Sequence, residues 1–116
     1  TAEARQLYAH DSDWVVPLLW QHEFLNVLAT LVKHGGGNVS DALDLWQEAQ
    51  DILSNREKTI SLSDALRVAA EHGISAYDAQ YLTLANTLNC SLITEDKRLA
   101  QKFPGRAKTM QEFLAQ

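Results

Sequence analysis

Apolar positions recur along the chain mainly at helical spacing, and a few short apolar runs break that rhythm. Residues 3 to 10 (EARQLYAH) predict a short helix, followed by a turn at Asp11, Ser12 and Asp13. The run Trp14, Val15, Val16 then predicts a strand. Pro17 suits the first turn of a helix reaching about His34, which Gly35, Gly36, Gly37 and Asn38 end. Ser40 is the expected cap of a helix through about Ser54, Thr59 to Leu62 form a short β-branched stretch, and Ser63 is the expected cap of a helix ended by Gly73. Ser75 opens a helix to Leu88 that Asn89 closes, and Cys90 to Thr94 (CSLIT) has the strongest strand pattern in the chain. A helix over about 96 to 103, a Pro104-Gly105 turn, a strand at 107 to 110 and a terminal helical turn complete the pattern. Strands alternating with helices predict an α/β fold, a three-layer α/β/α sandwich around a largely parallel sheet.

Helical projection shows which polar residues sit oddly. Over residues 18 to 34, Leu18, Trp20, Phe24, Leu25, Val27, Leu28, Leu31 and Val32 occupy one broad arc, which predicts a mostly buried helix. Glu23 lies at the margin of that arc, where a carboxylate either snorkels to water or belongs to a site. Over residues 75 to 88, Tyr77, Tyr81, Leu82, Leu84, Ala85 and Leu88 share a side, and Asp78 falls inside their arc. A carboxylate there needs compensation, and Ser75-x-x-Asp78 also has the form of a capping box. Thr94 and Asp96 stand just past the CSLIT strand, at the end where α/β sheets place their ligands. Asp96 equally suits the N-cap of the next helix.

Composition narrows the classes. With 116 residues, 46% hydrophobic, the chain is expected to form a single domain with one core. One cysteine, Cys90, makes neither an intramolecular disulfide nor a cysteine metal cluster, and no apolar run is long enough for a membrane span. The lone thiol and the lack of a leader pattern lead us to expect a cytoplasmic setting. The net charge of −5 is unevenly spread. Residues 1 to 96 hold five bases against fourteen acids, whereas residues 97 to 116 hold Lys97, Arg98, Lys102, Arg106 and Lys108 against Glu112 alone. Glu23, Asp78 and Asp96 offer hard oxygen ligands that favour Mg²⁺ or Mn²⁺ over Zn²⁺. His10, His22, His34 and His72 show no metal-binding spacing and read as surface or helix-end residues. No nucleophile elbow is present, and Gly35-Gly36-Gly37 lacks the Lys-Ser/Thr of a phosphate loop. Carboxylate-held metal beside a basic surface is an arrangement for phosphodiester hydrolysis.

Three segments together resemble the PIN domain, the fold of VapC-type toxin ribonucleases. They are Trp14-Val-Val-Pro-Leu-Leu-Trp-Gln-His-Glu23-Phe-Leu-Asn26, Ile74-Ser-Ala-Tyr-Asp78-Ala-Gln-Tyr-Leu-Thr-Leu-Ala, and Leu92-Ile-Thr94-Glu-Asp96-Lys-Arg-Leu99. The resemblance covers nearly all of residues 3 to 114. It implies that Glu23, Asp78 and Asp96 coordinate Mg²⁺ or Mn²⁺, that Thr94 orients the site, and that the substrate is RNA. It also implies a homodimer and a small antitoxin as partners. Lys97, Arg98, Lys102 and Arg106 are the expected phosphate contacts, chosen on charge.

The family opens with a strand ending in Asp, and this chain has no such strand ahead of residue 14. Asp11 and Asp13 precede a strand instead of following one, so they are poor substitutes. The chain is therefore expected to be the remainder of a longer protein. The expected function is a metal-dependent endoribonuclease. The alternatives are a PIN-like module that binds RNA or protein without cutting, and, least favoured, a phosphoacceptor signalling domain.

Overall fold

Several helices of this protein begin where a polar cap stands three residues ahead of an acid, as at Asn38, Ser61, Ser75 and Thr109. The computed structural model describes residues 2–10 and 13–115, apart from the side chains of Glu3 and His10. The turn expected at Asp11 and Ser12 lies outside the described residues. The chain forms two compact units, Val15–Thr59 and the remainder.

The smaller unit holds strand β1 (Val16–Pro17), helices α2 (Trp20–His34) and α3 (Val39–Leu53), a 3-10 turn at Ser54–Arg56 and strand β2 (Glu57–Lys58). β1 and β2 pair in parallel, with Val16 opposite Glu57 and Pro17 opposite Lys58. Pro17 thus ends a strand and does not begin the helix, which starts three residues later. Asn38, not Ser40, caps α3, because its Oδ1 accepts the Asp41 backbone N–H at 2.8 Å and its Nδ2 donates to Asp41 Oδ2 at 3.0 Å. Ser40 has Leu43 three residues on and no acid to reciprocate. α2 and α3 pack through aromatic rings, with Trp20 and Trp46 stacked at 5.5 Å and Phe24 at 6.3 Å from each of them. α2 is less buried than its arc predicted. Trp20 and Leu28 are covered, whereas Leu18, Leu25, Val27 and Leu31 are about half exposed. An apolar arc this broad needs neighbours on more than one side, and α3 covers one.

The larger unit contains α1 (Ala2–His10), α4 (Leu62–His72), α5 (Ala76–Leu88), strand β3 (Leu92–Ile93), α6 (Lys97–Lys102), strand β4 (Ala107–Lys108) and α7 (Met110–Leu114). Ser61, not Ser63, caps α4, its hydroxyl accepting the Asp64 N–H at 3.2 Å. The β-branched stretch at 59 to 62 is no strand, and the strand lies just ahead of it at Glu57–Lys58, in the smaller unit. Gly73, at φ 65°, ends α4 in the left-handed conformation that glycine adopts without Cβ strain. Asn89, at φ 52°, ends α5 in the same way and turns the chain directly into β3. β3 and β4 run parallel, joined by Leu92 N–H to Arg106 O at 2.8 Å and Thr94 N–H to Lys108 O at 2.9 Å. The core gathers Leu82, Ala85, Leu92, Leu99 and Ala107, with Tyr81 and Phe103 packed against it.

The architecture is α/β with parallel strand pairs. Each strand has two residues, fewer than the patterns at 90 to 94 and 107 to 110 suggested, and each pair is a two-stranded sheet. Among the described residues no helix is long and apolar enough to cross a membrane.

Candidate active site

Three helices open with a polar cap followed, three residues on, by aspartate, and the fate of the three carboxylates differs. Asp41 accepts from the Asn38 amide, and Asp64 pairs with Arg67 at 2.6 Å. Both are exposed. Asp78 has the same backbone cap, its N–H donating to Ser75 Oγ at 3.0 Å, but its carboxylate accepts no hydrogen bond and forms no ion pair among the described residues. It is also half-buried. The capping reading therefore explains the Asp78 backbone and leaves its side chain without a structural task. Burying a carboxylate further without a partner would be costly.

Leu92 of β3 packs with Leu82 and Ala85 of α5, so the chain after Asn89 runs back along that helix before it reaches Thr94 and Asp96. α5 advances about 15 Å from Asp78 to Leu88 at 1.5 Å per residue, and the chain from Asn89 to Thr94 returns about as far at ~3.3 Å per residue. Thr94 Oγ1 accepts the Asp96 backbone N–H at 3.0 Å. Asp96 Oδ1 accepts the N–H groups of Arg98 at 2.9 Å and Leu99 at 3.2 Å, capping α6. Its other carboxylate oxygen accepts nothing among the described residues. The N-cap reading and the site reading of Asp96 are thus compatible, since the cap uses one oxygen and fixes the direction of the second.

Glu23 belongs to the smaller unit, on the exposed side of α2. Among the described residues no three His, Cys, Asp or Glu side chains gather closely enough to make a ready metal cage. That is compatible with Mg²⁺, which keeps several waters and usually takes only one or two protein carboxylates together with substrate phosphates. Asp78 and the open oxygen of Asp96 have the hard-donor chemistry for it.

The four basic candidates divide. Lys97 and Arg98 are exposed in the first turn of α6, and their charged ends have no partner among the described residues. Lys97 also lines a groove of about 480 Å³ with Gln101, Thr109 and Glu112. Lys102 instead donates to the His72 carbonyl at the end of α4. Arg106 donates to Cys90 O at 2.7 Å and to Asn89 Oδ1 at 3.1 Å, strapping the corner between α5 and β3. Sequence offered no signal for that strap, because the acceptors are a carbonyl and a cap residue far along the chain. His22 and His34 are exposed, and His72 ends α4 with its ring edge-on to Phe103 at 5.0 Å.

The sequence profile of the PIN domain matches residues 1–103. The chain belongs to the PIN domain family. It is 46% identical over 86 residues to Ribonuclease VapC3 of Pyrobaculum aerophilum, covering 74% of this chain and 61% of that protein. It is 32% identical over 98 residues to Ribonuclease VapC9 of Mycobacterium tuberculosis, covering 84% of this chain and 76% of that one. The crystal structure of PAE2754 from Pyrobaculum aerophilum superposes with a TM-score of 0.72 at 28% identity, over 96% of this chain and 87% of that chain. The segments around Glu23, Asp78 and Asp96 all fall within the PIN match.

Proposed function

We propose that this PIN domain is a metal-dependent endoribonuclease, the toxin of a toxin–antitoxin pair, acting in the cytoplasm as a homodimer that a small antitoxin neutralises. The observation that carries the reading is the half-buried Asp78 carboxylate, which has no partner among the described residues where two equivalent acids have one. Similarity to proteins named as VapC ribonucleases supports it.

In this reading Asp78 and Asp96 hold Mg²⁺ or Mn²⁺, and Glu23 is the further acid that the family resemblance implies. When bound, such an ion neutralises charge developing on a phosphodiester and makes water a better nucleophile. The protein's own residues do the rest. Thr94 keeps the Asp96 backbone in place, the α6 cap orients its carboxylate, and Lys97 and Arg98 attract the RNA backbone. Lys102 and Arg106, already bonded within the fold, serve it by holding α6 and β3 in place.

The test is cleavage of mixed-sequence RNA with Mn²⁺ or Mg²⁺, against EDTA and Asp78→Asn. Cutting that needs the metal and vanishes in the variant supports the nuclease. Folded protein that binds RNA in the presence of metal without cutting it supports the second reading, a binding module, which the lack of a three-ligand cluster among the described residues favours.

A further inference from the structure

Of the nine aromatic residues in the chain, Tyr77 alone is exposed, at 60% of its surface. The others are packed. Tyr8 meets Trp14 edge-on at 5.0 Å, Trp20, Phe24 and Trp46 stack together, and Tyr81 and Phe103 border the core. Tyr77 has no ring neighbour and its hydroxyl has no hydrogen-bond partner among the described residues. An aromatic ring presented to water forgoes the burial that aromatic side chains ordinarily provide.

Its position gives that exposure a use. Tyr77 directly precedes Asp78 in the first turn of α5, a turn that the Ser75 cap fixes. Consecutive Cα atoms lie about 3.8 Å apart and, on a helix, are rotated by about 100°. Ring and carboxylate therefore diverge from one rigid turn. A strand whose phosphate lies at Asp78 would carry the adjoining base past the ring. Unpaired RNA bases are characteristically stacked on exposed aromatic side chains, whereas bases within a duplex are not available for it.

We propose that Tyr77 is a stacking platform for the nucleobase beside the phosphodiester held at Asp78. The proposal rests on the nuclease reading above and adds a base-binding subsite to it. Being uncharged, the platform contributes affinity without salt dependence, unlike Lys97 and Arg98.

The experiment measures binding of a labelled, cleavage-resistant single-stranded RNA to the otherwise wild-type chain with Mg²⁺, comparing Tyr77 with Tyr77→Ala and Tyr77→Phe, and repeats it with one abasic nucleotide moved along the oligomer. Tyr77→Ala is expected to weaken binding about tenfold, with an unchanged salt slope, and Tyr77→Phe to retain it. At one abasic position the Tyr77 and Ala proteins should bind equally. Equal affinity of the Ala variant for intact RNA overturns the proposal. So does loss of self-association in Tyr77→Ala with RNA affinity intact, which would make Tyr77 a protein contact. A wild-type chain that neither binds nor cuts RNA removes the nuclease reading and this one with it, whereas wild-type cutting that Tyr77→Ala matches removes only the platform.

Discussion

The hydroxyl of Thr94 accepts the backbone N–H of Asp96 at 3.0 Å, so the residue just after β3 fixes the residue that caps α6. Removing the hydroxyl without changing volume should loosen Asp96 and leave the fold standing. Thr94→Val is expected to lower kcat/KM for RNA cleavage about fivefold to tenfold, the worth of roughly one hydrogen bond, and Thr94→Ser to restore it. Equal rates for Val and wild type would show that Asp96 needs no such support.

Asp96 has two tasks that substitution can separate. Asparagine caps helices as well as aspartate, whereas alanine does not. Asp96→Asn should keep the wild-type melting temperature and lose metal-dependent cleavage. Asp96→Ala should lose cleavage and also about 1 kcal/mol of stability, seen as a Tm lower by roughly 4 °C in a thermal melt. A large stability loss in the Asn variant would mean that the charge itself holds the fold.

Asp78 makes the opposite case, because its side chain has no partner among the described residues to lose. Asp78→Asn should abolish cleavage while leaving Tm in metal-free buffer unchanged or raised, since it removes a partly desolvated charge. Adding Mg²⁺ should raise the Tm of wild type and not of the variant.

Lys97 and Arg106 are both basic and both close to the candidate site in sequence, yet they should behave differently. Arg106→Ala breaks two good hydrogen bonds at the α5–β3 corner and should cost about 2 kcal/mol in a denaturant titration. Lys97→Ala should leave stability alone and reduce the salt slope of RNA binding by about 0.7, the release expected for one phosphate contact on a single strand. Unequal slopes with equal stabilities would refute the strap.

Glu112 sets a pH limit on α7. The Thr109 backbone N–H and then its hydroxyl interaction hold the Glu112 carboxyl below its usual range, with Lys108 adding a smaller pull. A depressed folded-state value means that the contribution is complete above the unfolded carboxylate value of about 4.3 and fades as pH falls through the folded one. Amide exchange in α7 should therefore accelerate as pH drops below about 4, after correction for intrinsic rates, and Glu112→Gln should remove that dependence.

The sequence was most informative where local chemistry decides structure. Ser75, Gly73 and Asn89 bound α4 and α5 where the pattern placed them, because caps and left-handed turns are set by neighbouring residues. Ser40 and Ser63 misled because a serine alone is a weaker cap than Asn38 with Asp41 or Ser61 with Asp64. Strand length was not legible, since Cys90, Ser91 and Thr94 have strand-like neighbours but pairing depends on residues 106 to 108. At the candidate site, the oddity of Asp78 was readable from its arc. The division of labour among Lys97, Arg98, Lys102 and Arg106 was not, because charge alone does not reveal which carbonyl a cation will find.

Cys90 stands at the Asn89 corner, its carbonyl under the Arg106 strap and its thiol exposed. The length of α5, about 15 Å from Asp78 to Leu88, separates that corner from Asp78. A single maleimide dye attached there would have one address in the protein, report on opening of the strap through its own mobility, and leave Asp78, Thr94 and Asp96 chemically untouched.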